Sequence, residues 1–181
     1  MRGDIVLLTG PPGAGKSTTA AALAAGFEKS VHLHTDDFWH YIVSGAIPPY
    51  LPESDQQNQT AMRAIALTTV TYAEGGYTVV VDGVVGPWML HHFDAAVREA
   101  ITVHYLVLRP SRETALARAV GRSGPDDLTD AEPILAMWDQ FADLGNLERH
   151  VLDTGDQTPG QTLQMVRDAV AGSAFRLASP D

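Results

Sequence analysis

The sequence predicts an α/β fold of three αβα layers around a five-stranded parallel sheet. Short apolar runs alternate with helical segments along the whole chain, which is typical of parallel sheets with helices on both faces. The first run, residues 4–10, is continuously apolar, as expected of a central strand covered on both sides. A glycine-rich loop follows it directly, and ligands of such sheets lie at the carboxyl ends of the strands.

The first elements after this strand are read from alanine, glycine and proline. An alanine-rich helix is predicted from Lys16 to about Gly26. A second strand follows over 31–37, and then a short helix that ends at Gly45. Three prolines in residues 46–54, here called the proline loop, exclude a helix and predict a semi-rigid connection.

The central part of the chain contains the longest predicted helix. It starts at Ser54, where Ser54 and Gln57 spell a capping box, and ends at the glycine pair 75–76. The third strand is predicted over 77–83 and ends with an aspartate and a glycine. A further helix is expected from there to about Ala100.

The same alternation continues with the fourth strand, predicted over 101–110. Ser111 begins a helix that runs to Arg122. After a polar break, Thr129 and Glu132 indicate a second capping box, which opens a helix to about Leu144.

The C-terminal part contains the fifth strand, predicted over 150–155, and a last helix. Thr158 is the expected cap of that helix, with a proline at the first position. Residues 172–181 are expected to be a tail of uncertain order. We therefore predict one domain over 1–181, with a short lid near 118–130.

The composition favours a single soluble domain. A chain of 181 residues can bury its own core, and without cysteine it has neither disulfides nor thiolate metal sites. The net charge of -10 argues against affinity for a nucleic-acid backbone. The apolar N-terminal stretch is too short to span a membrane. We expect a cytoplasmic monomer or homodimer with no membrane partner, and the charge disfavours a nucleic-acid partner.

Residues 10–17 spell GxxxxGKS, the pattern of a loop that holds nucleotide phosphates. Its small residues let backbone N–H groups point at phosphate oxygens, and the helix N-terminus adds its dipole. Lys16 would bridge the β- and γ-phosphates, and the Ser17 hydroxyl would ligate Mg²⁺. The sequence thus predicts a P-loop NTP hydrolase fold. We expect the protein to bind ATP and Mg²⁺ at this loop. The predicted nucleotide-binding residues here are Gly10, Pro12, Gly13, Ala14, Gly15, Lys16, Ser17 and Thr18.

Asp82 ends the apolar third strand. At that place a carboxylate can hold the magnesium shell, directly or through water. The alternative is an aspartate that opens a turn with Gly83. Because a carboxylate at the end of a buried strand is costly to place, we favour the metal role.

Asp36 and Asp37 follow the second strand. Phosphate transfer to a hydroxyl needs a carboxylate that orients the nucleophile and accepts its proton. The alternative is that both residues cap the following helix. We predict that Asp36 is the catalytic carboxylate, and the assignment between Asp36 and Asp37 stays open.

The histidines also have two interpretations. The segment HLHTDD resembles the metal-binding loop of two-metal hydrolases, but Asp37 stands where that loop has its last histidine. His32 and His34 fall within a predicted strand, so we expect them to be packed strand residues. His91 and His92 are expected on a helix surface.

Arg118 and Arg122 are four residues apart on one predicted helix, so both project from the same face. Their planar guanidinium groups suit an adenine face and phosphate oxygens. The alternative is a solvated, arginine-rich face that binds nothing. The polar residues beyond Arg122 can form a short mobile lid.

The order of these parts resembles the nucleoside monophosphate kinase-like group of P-loop kinases. It is most similar to the small-molecule branch with gluconate kinase, shikimate kinase and chloramphenicol phosphotransferase. The resemblance runs from about Ile5 to Val170, through GPPGAGKS, HTDDF, VVVDG, LVLRPSRETALARAVGR and VLDTGDQTP. It implies that Arg118 stacks on adenine, that Arg122 is catalytic and reaches the phosphates, and that Asp156 lies beside the adenine.

A group of aromatic and polar residues is the expected acceptor pocket. Aromatic faces with amide and imidazole groups suit a neutral hydroxylated molecule, whereas the alternative is that some of them belong to the core. Arg63 is the one lysine or arginine between Lys29 and Arg98, which disfavours a phosphorylated acceptor. The predicted pocket residues are Asp36, Asp37, Trp39, His40, Tyr50, Gln57 and Trp88.

The sequence therefore predicts a transferase: an ATP-dependent phosphotransferase, or kinase, that acts on an alcohol group. Its acceptor would be a sugar-like or antibiotic-like small molecule. Two alternatives stay open. HTDDF also resembles the aspartate segment of polynucleotide 5′-hydroxyl kinases, although the acidic charge counts against nucleic acid. The chain could instead bind ATP as a module, or hydrolyse it slowly, without an acceptor.

Overall fold

The computed structural model describes residues 2–124 and 128–178. It contains a five-stranded sheet with the strand order β2-β3-β1-β4-β5, and every pairing between these strands is parallel. The predicted α/β fold with a five-stranded parallel sheet is confirmed. The strands are β1 (Ile5–Thr9), β2 (Ser30–His34), β3 (Thr78–Gly83), β4 (Val103–Leu108) and β5 (Val151–Leu152).

Helices cover both faces of this sheet. Short 3₁₀ helices at Pro52–Ser54, Pro87–Phe93 and Gly145–His150 connect some of the elements. The α-helices are α1 (Lys16–Ala24), α2 (Asp36–His40), α3 (Asp55–Glu74), α4 (Asp94–Arg98), α5 (Arg112–Val120), α6 (Ala131–Asp139) and α7 (Pro159–Ala171).

Alternate residues of the central strands enter two separate cores. Leu7 and Val81 pack with Met62 and Ile65 of α3 on one face of the sheet. Val6, Leu8 and Leu106 pack on the other face with apolar residues of α1 and α7. Because a strand's side chains alternate between the two faces, a strand buried on both reads as a continuous apolar run. The three-layer prediction is confirmed.

Two local predictions in the first half are wrong. The second helix begins at Asp36 and ends at His40, so it starts earlier and is shorter than predicted. The capping box at the start of α3 is absent, because Ser54 Oγ donates to the carbonyl oxygens of Pro49 and Leu51 instead. The turn of the proline loop thus uses the hydroxyl that the pattern assigned to the helix.

The second half shows similar local differences. Residues after β3 form a 3₁₀ helix before α4, instead of one helix to Ala100. Asp130, not Thr129, caps α6, and its side chain accepts from the Glu132 N–H. The predicted cap of the last helix is confirmed: Thr158 and Gln161 form a capping box at the start of α7.

Part of the predicted tail adds to the sheet. Tyr105 N–H donates to the Phe175 carbonyl at 2.8 Å, and Leu177 N–H donates to the Val103 carbonyl at 2.9 Å. Strand β5 pairs only with the end of β4, so the tail occupies the remaining edge of β4. The predicted lid includes residues 125–127, which lie outside the described residues. Over 2–124 and 128–178, no helix combines the length and apolar character needed to cross a membrane.

Candidate active site

The glycine-rich loop lies at the carboxyl end of β1, between the ends of β3 and β4. Gly10, Gly13 and Gly15 have φ angles of 141°, 81° and 86°, which favour glycine. A Cβ atom at Gly13 would lie 2.0 Å from the carbonyl oxygen of Ala115, so α5 approaches the loop too closely for any side chain there. Pro12 and Ala14 are buried in the same loop, and Thr18 is exposed on α1.

Lys16 is buried at the first position of α1 and donates to the Pro11 carbonyl at 3.0 Å. Burial lowers the pKa of Lys16 to about 8, Asp36 and Asp82 oppose this shift, and Arg122 adds to it. Two predicted catalytic residues, Asp36 and Arg122, are therefore close enough to Lys16 to act on its charge. The fold brings these residues to one place, although they come from four separate segments of the chain.

Asp82 is fully buried at the end of β3, and both of its carboxylate oxygens are engaged. Ser17 Oγ donates to Oδ2 at 2.6 Å, and His32 Nε2 lies 2.5 Å from Oδ1. Burial alone would raise the pKa of Asp82, but the hydrogen bonds with His32 and Ser17 outweigh it and the pKa is lowered. An ionised carboxylate bonded to a P-loop hydroxyl is the type of oxygen donor set that suits Mg²⁺.

Asp36 and Asp37 form the first turn of α2, with side chains that are 62% and 57% exposed. The structure places Thr35 at the cap position, so neither aspartate is the cap of this helix. His34 lies between the acidic groups: its Nε2 is 3.9 Å from Asp36 Oδ2, and its Nδ1 is 3.6 Å from Asp37 Oδ1. Asp36 and Asp37 thus face solvent, whereas Asp82 faces the phosphate loop.

His32 and His34 are strand residues, as expected, because both lie in β2, but they are only partly packed. Their side chains are 28% and 35% exposed, and both point toward Asp82. Two residues apart on β2, they lie on one face of the sheet, the face that carries Asp82 on β3. Their spacing predicts the shared face, but the partner is known only once β2 is placed beside β3.

Arg118 reaches the loop that follows β5. Its guanidinium donates to the carbonyl oxygens of Thr154 at 3.4 Å and Gly155 at 3.1 Å. Asp156 is exposed in the same loop. A cavity of about 270 Å³ lies beside it, lined by the start of α5, Trp138 and residues 153–156. Arg118 therefore contacts the loop that contains Asp156. Both residues are distant in sequence from the glycine-rich loop at residues 10–17.

Several predicted pocket residues hold the proline loop in place. The Gln57 amide exchanges two hydrogen bonds with the backbone of Ile47, at 2.9 and 2.7 Å. Trp39 Nε1 donates to Asn58 Oδ1 at 2.8 Å. An apolar groove of about 540 Å³ runs between α2 and α3, with Phe38, Tyr41, Ile42, Ile47 and Gln57 among its lining residues.

The remaining predicted pocket residues lie at the surface. His40 is exposed at the end of α2, and Tyr50 is exposed in the middle of the proline loop. Trp88 is also exposed, and its ring packs against Phe141 with 5.8 Å between the ring centroids. The structure thus gives Trp88 a partner in the segment after α6. An acceptor role for these three side chains stays a prediction.

Comparison with known proteins agrees with this architecture. A sugar kinase from Janibacter sp. HTCC2649 has 20% identity and a TM-score of 0.69, with 93% of this chain and 95% of that one aligned. APS kinase from Mycobacterium tuberculosis, in complex with AMPPNP and APS, has 16% identity and a TM-score of 0.68 over 94% and 99%. The tunicamycin resistance protein of Deinococcus radiodurans has 16% identity and a TM-score of 0.66 over 99% and 100%.

These TM-scores show a shared fold, and a match to a family model shows the family. No curated protein matches the sequence significantly. The family model described as the AAA domain matches residues 5–144. This range includes the glycine-rich loop, the aspartates that follow β2 (Asp36 and Asp37), Asp82 at the end of β3, and α5. With the fold of the P-loop kinases, the chain belongs to the AAA domain family.

Proposed function

We propose that the protein is an ATP-dependent phosphotransferase that moves the γ-phosphate of Mg-ATP to a hydroxyl group of a small molecule. One observation carries this proposal: the site contains two carboxylates in different environments. Asp82 is buried and bonded to Ser17, whereas Asp36 is exposed beside the buried Lys16. Binding or hydrolysis of ATP needs the first carboxylate, and transfer to a hydroxyl also uses the second.

The nucleotide half of the site would hold the phosphates. Backbone N–H groups of the loop and the Lys16 ammonium contact the phosphate oxygens, and Ser17 with Asp82 would hold Mg²⁺. When bound, Mg²⁺ neutralises charge on the β- and γ-phosphates. Arg118 and the Asp156 loop would hold the adenine. Lys16 donates to the Pro11 carbonyl in the structure and would release this contact to reach a phosphate.

The transfer step assigns a proton to Asp36. The acceptor oxygen forms a bond to the γ-phosphorus, the bond from that phosphorus to the ADP oxygen breaks, and the hydroxyl proton passes to Asp36. Arg122, which lies close enough to affect Lys16, would stabilise the charge on the transferring group. Asp36 is exposed, so an acceptor hydroxyl has access to it.

The acceptor in this proposal is a neutral, sugar-like or antibiotic-like molecule. Arg63 is the one lysine or arginine between Lys29 and Arg98, so this side of the site offers little charge to an anionic acceptor. Exposed aromatic residues and the groove between α2 and α3 provide apolar faces for a ring. The names of two structural relatives, a sugar kinase and a tunicamycin resistance protein, support the same two classes.

The acceptor class can be identified by incubating the protein with radiolabelled ATP and a panel of candidates. The panel contains sugars, nucleosides, antibiotics and a DNA oligonucleotide. We expect label to appear on a sugar or an antibiotic. Label on the oligonucleotide would identify a polynucleotide kinase instead, and label released only as phosphate would identify an ATPase without an acceptor.

A pair of aspartate variants then tests the mechanism. Asp36→Asn should lower phosphate transfer by about 10²–10⁴-fold, the usual contribution of general acid–base catalysis, and leave ATP affinity nearly unchanged. Asp37→Asn is the matched control, because it removes the neighbouring exposed carboxylate from the same turn. If Asp37→Asn had the larger effect, the proton acceptor would be Asp37. If neither variant changed the rate, the proposed mechanism would be wrong.

A further inference from the structure

We infer that His32 is a positioning residue for the magnesium shell: it holds Asp82 in the orientation that accepts the hydrogen bond from the Ser17 hydroxyl. The inference rests on the proposed function only through the magnesium role of Ser17 and Asp82. It does not depend on the acceptor or on Asp36. The sequence predicts Ser17 and Asp82 as magnesium residues, whereas it predicts His32 only as a packed strand residue.

The strand pairing brings His32 to this carboxylate. His32 pairs with Val80 in the register of β2 and β3, and Asp82 lies two residues further along β3 on the same face. The imidazole extends along the sheet and places Nε2 at 2.5 Å from Asp82 Oδ1. Strand β2 is an edge strand of the sheet, and the His32 ring is 28% exposed while its partner is fully buried.

The direction of the hydrogen bonds follows from their chemistry. An ionised carboxylate only accepts, so the hydrogen of the His32 contact lies on Nε2. Ser17 likewise donates its hydroxyl hydrogen to Oδ2. Its oxygen lone pairs then remain available to a cation, which is the arrangement that a hydroxyl ligand needs.

Without His32, this orientation of Asp82 would lose one of its two anchors. The terminal torsion of an aspartate side chain is broad, so the carboxylate plane is not held by its rotamer. A buried oxygen that loses its donor is also costly, and the carboxylate would turn to find another. The Ser17 hydroxyl would turn with it, and the hydroxyl lone pairs would lose their direction.

His34 does not supply the same contact. Its Nε2 is 3.8 Å from Asp82 Oδ2, which is beyond hydrogen-bond distance, and its other contacts are with Asp36 and Asp37. The hydrogen bond to Asp82 Oδ1, the oxygen that Ser17 does not contact, is therefore assigned to His32. Outer-shell partners of this type typically change metal affinity by about 10–100-fold when they are removed.

The test is a binding measurement that needs no acceptor. Calorimetry gives the affinity of ADP in saturating Mg²⁺ and in EDTA, and a Mg²⁺ titration at fixed ADP gives the apparent Mg²⁺ affinity. For His32→Ala we expect the apparent Mg²⁺ affinity to fall by about 10–100-fold, with ADP affinity in EDTA unchanged. His32→Gln keeps an N–H donor and should recover most of the loss. His91→Ala removes an exposed histidine of the 3₁₀ helix at Pro87–Phe93, which is outside the proposed magnesium site, and should behave as the wild type.

Each other outcome is decisive. If His32→Ala kept the wild-type Mg²⁺ affinity, or lost ADP affinity equally in EDTA, the inference would be overturned. Ser17→Ala separates this failure from a failure of the proposed magnesium site, because it removes the proposed ligand itself. If Ser17→Ala lost Mg²⁺ dependence and His32→Ala did not, only the positioning role would be wrong. Thermal unfolding of each variant verifies that it is folded, and His32→Leu, which also removes the N–H donor and should show the same loss of Mg²⁺ affinity, provides the test if His32→Ala is not.

Discussion

The two halves of the site are built differently. The nucleotide half consists of the loop at residues 10–17, the end of β3, Arg118 of α5 and Arg122 just after that helix. Its key side chains Lys16 and Asp82 are buried. The acceptor half consists of α2, the proline loop and the first turns of α3, and its carboxylates are mostly exposed. The first half is held by backbone geometry and close packing, and the second by a few side-chain contacts.

This difference has a physical reason in what each half would bind. Phosphate groups are the same in every nucleotide, so glycine backbone and a buried lysine can be arranged in advance. An acceptor pocket has to fit one molecule, and side chains on loops and short helices provide that variety. Gln57 and Asn58 hold the proline loop and Trp39, so the shape of the acceptor half depends on contacts that are individually weak.

The largest effect is expected from Lys16→Ala, which disables the nucleotide half. The variant loses the cation that would bridge the phosphates, so phosphate transfer or ATP hydrolysis should fall by about 10³-fold or more. A coupled ADP-release assay measures the rate, and circular dichroism verifies the fold. Lys29→Ala is the matched control, because Lys29 is the only other lysine and contacts the Gly75 carbonyl at the opposite end of the sheet. Wild-type rates in Lys16→Ala would place the nucleotide site elsewhere.

Arg118 of α5 and Arg122, which follows the end of this helix, should show separate effects. Arg122→Ala should lower turnover by about 10²–10³-fold, because it is proposed to stabilise the charge of the transferring group. Arg118→Ala loses the two contacts with the loop after β5, and the ATP dissociation constant should rise by about tenfold. Steady-state kinetics and calorimetry distinguish these outcomes. Equal and negligible effects would support a solvated arginine face instead.

Gln57→Leu is expected to loosen the acceptor half and leave the nucleotide half unchanged. It removes both hydrogen bonds to Ile47, so the melting temperature should fall by about 2–6 °C. The acceptor KM should rise, with no change in ATP affinity. Gln57→Glu keeps the acceptor for the Ile47 N–H but places a carboxylate oxygen against the Ile47 carbonyl oxygen, so it should lower the melting temperature as well. A change in ATP affinity in either variant would mean that the two halves are coupled through the proline loop.

The smallest effect is expected from Glu148→Gln, outside both halves. Arg109 binds Glu148 through two hydrogen bonds of 2.8 Å and, with the Leu144 N–H, lowers the pKa of the carboxyl to about 2. Because this pKa is lower in the folded state, the stabilisation is present above pH 4.5 and is lost as the pH falls toward 2. Exposed ion pairs contribute little, so the melting temperature at pH 7 should fall by at most about 3 °C. Scanning calorimetry at pH 7 and pH 3 should show the difference shrinking in acid; an equal difference at both would contradict the assignment.

Prediction from the sequence was accurate where one local pattern had one solution. The run at β1 with GxxxxGKS, and Thr158 at the cap of α7 followed by Pro159, were both placed correctly. It was wrong where two partners compete for the same group. The Ser54 side chain could cap α3 or close the turn of the proline loop. Its hydroxyl donates to the carbonyl oxygens of the turn. Similarly, Asp130 lies next to the predicted cap Thr129 and takes its place, because capping depends on backbone angles that the residue type does not show.

The sequence by itself determined the class of fold and the chemistry of the phosphate loop. Both depend on local information: alternation of apolar strands with helices, and eight consecutive residues whose backbone forms the loop. Only the tertiary structure decided which side chains meet. His32 contacts Asp82 because β2 pairs with β3, and Gln57 holds Ile47 because the proline loop folds back on α3. These pairs are separated by 50 and 10 residues along the chain, and such contacts follow from strand order and loop path rather than from any local pattern.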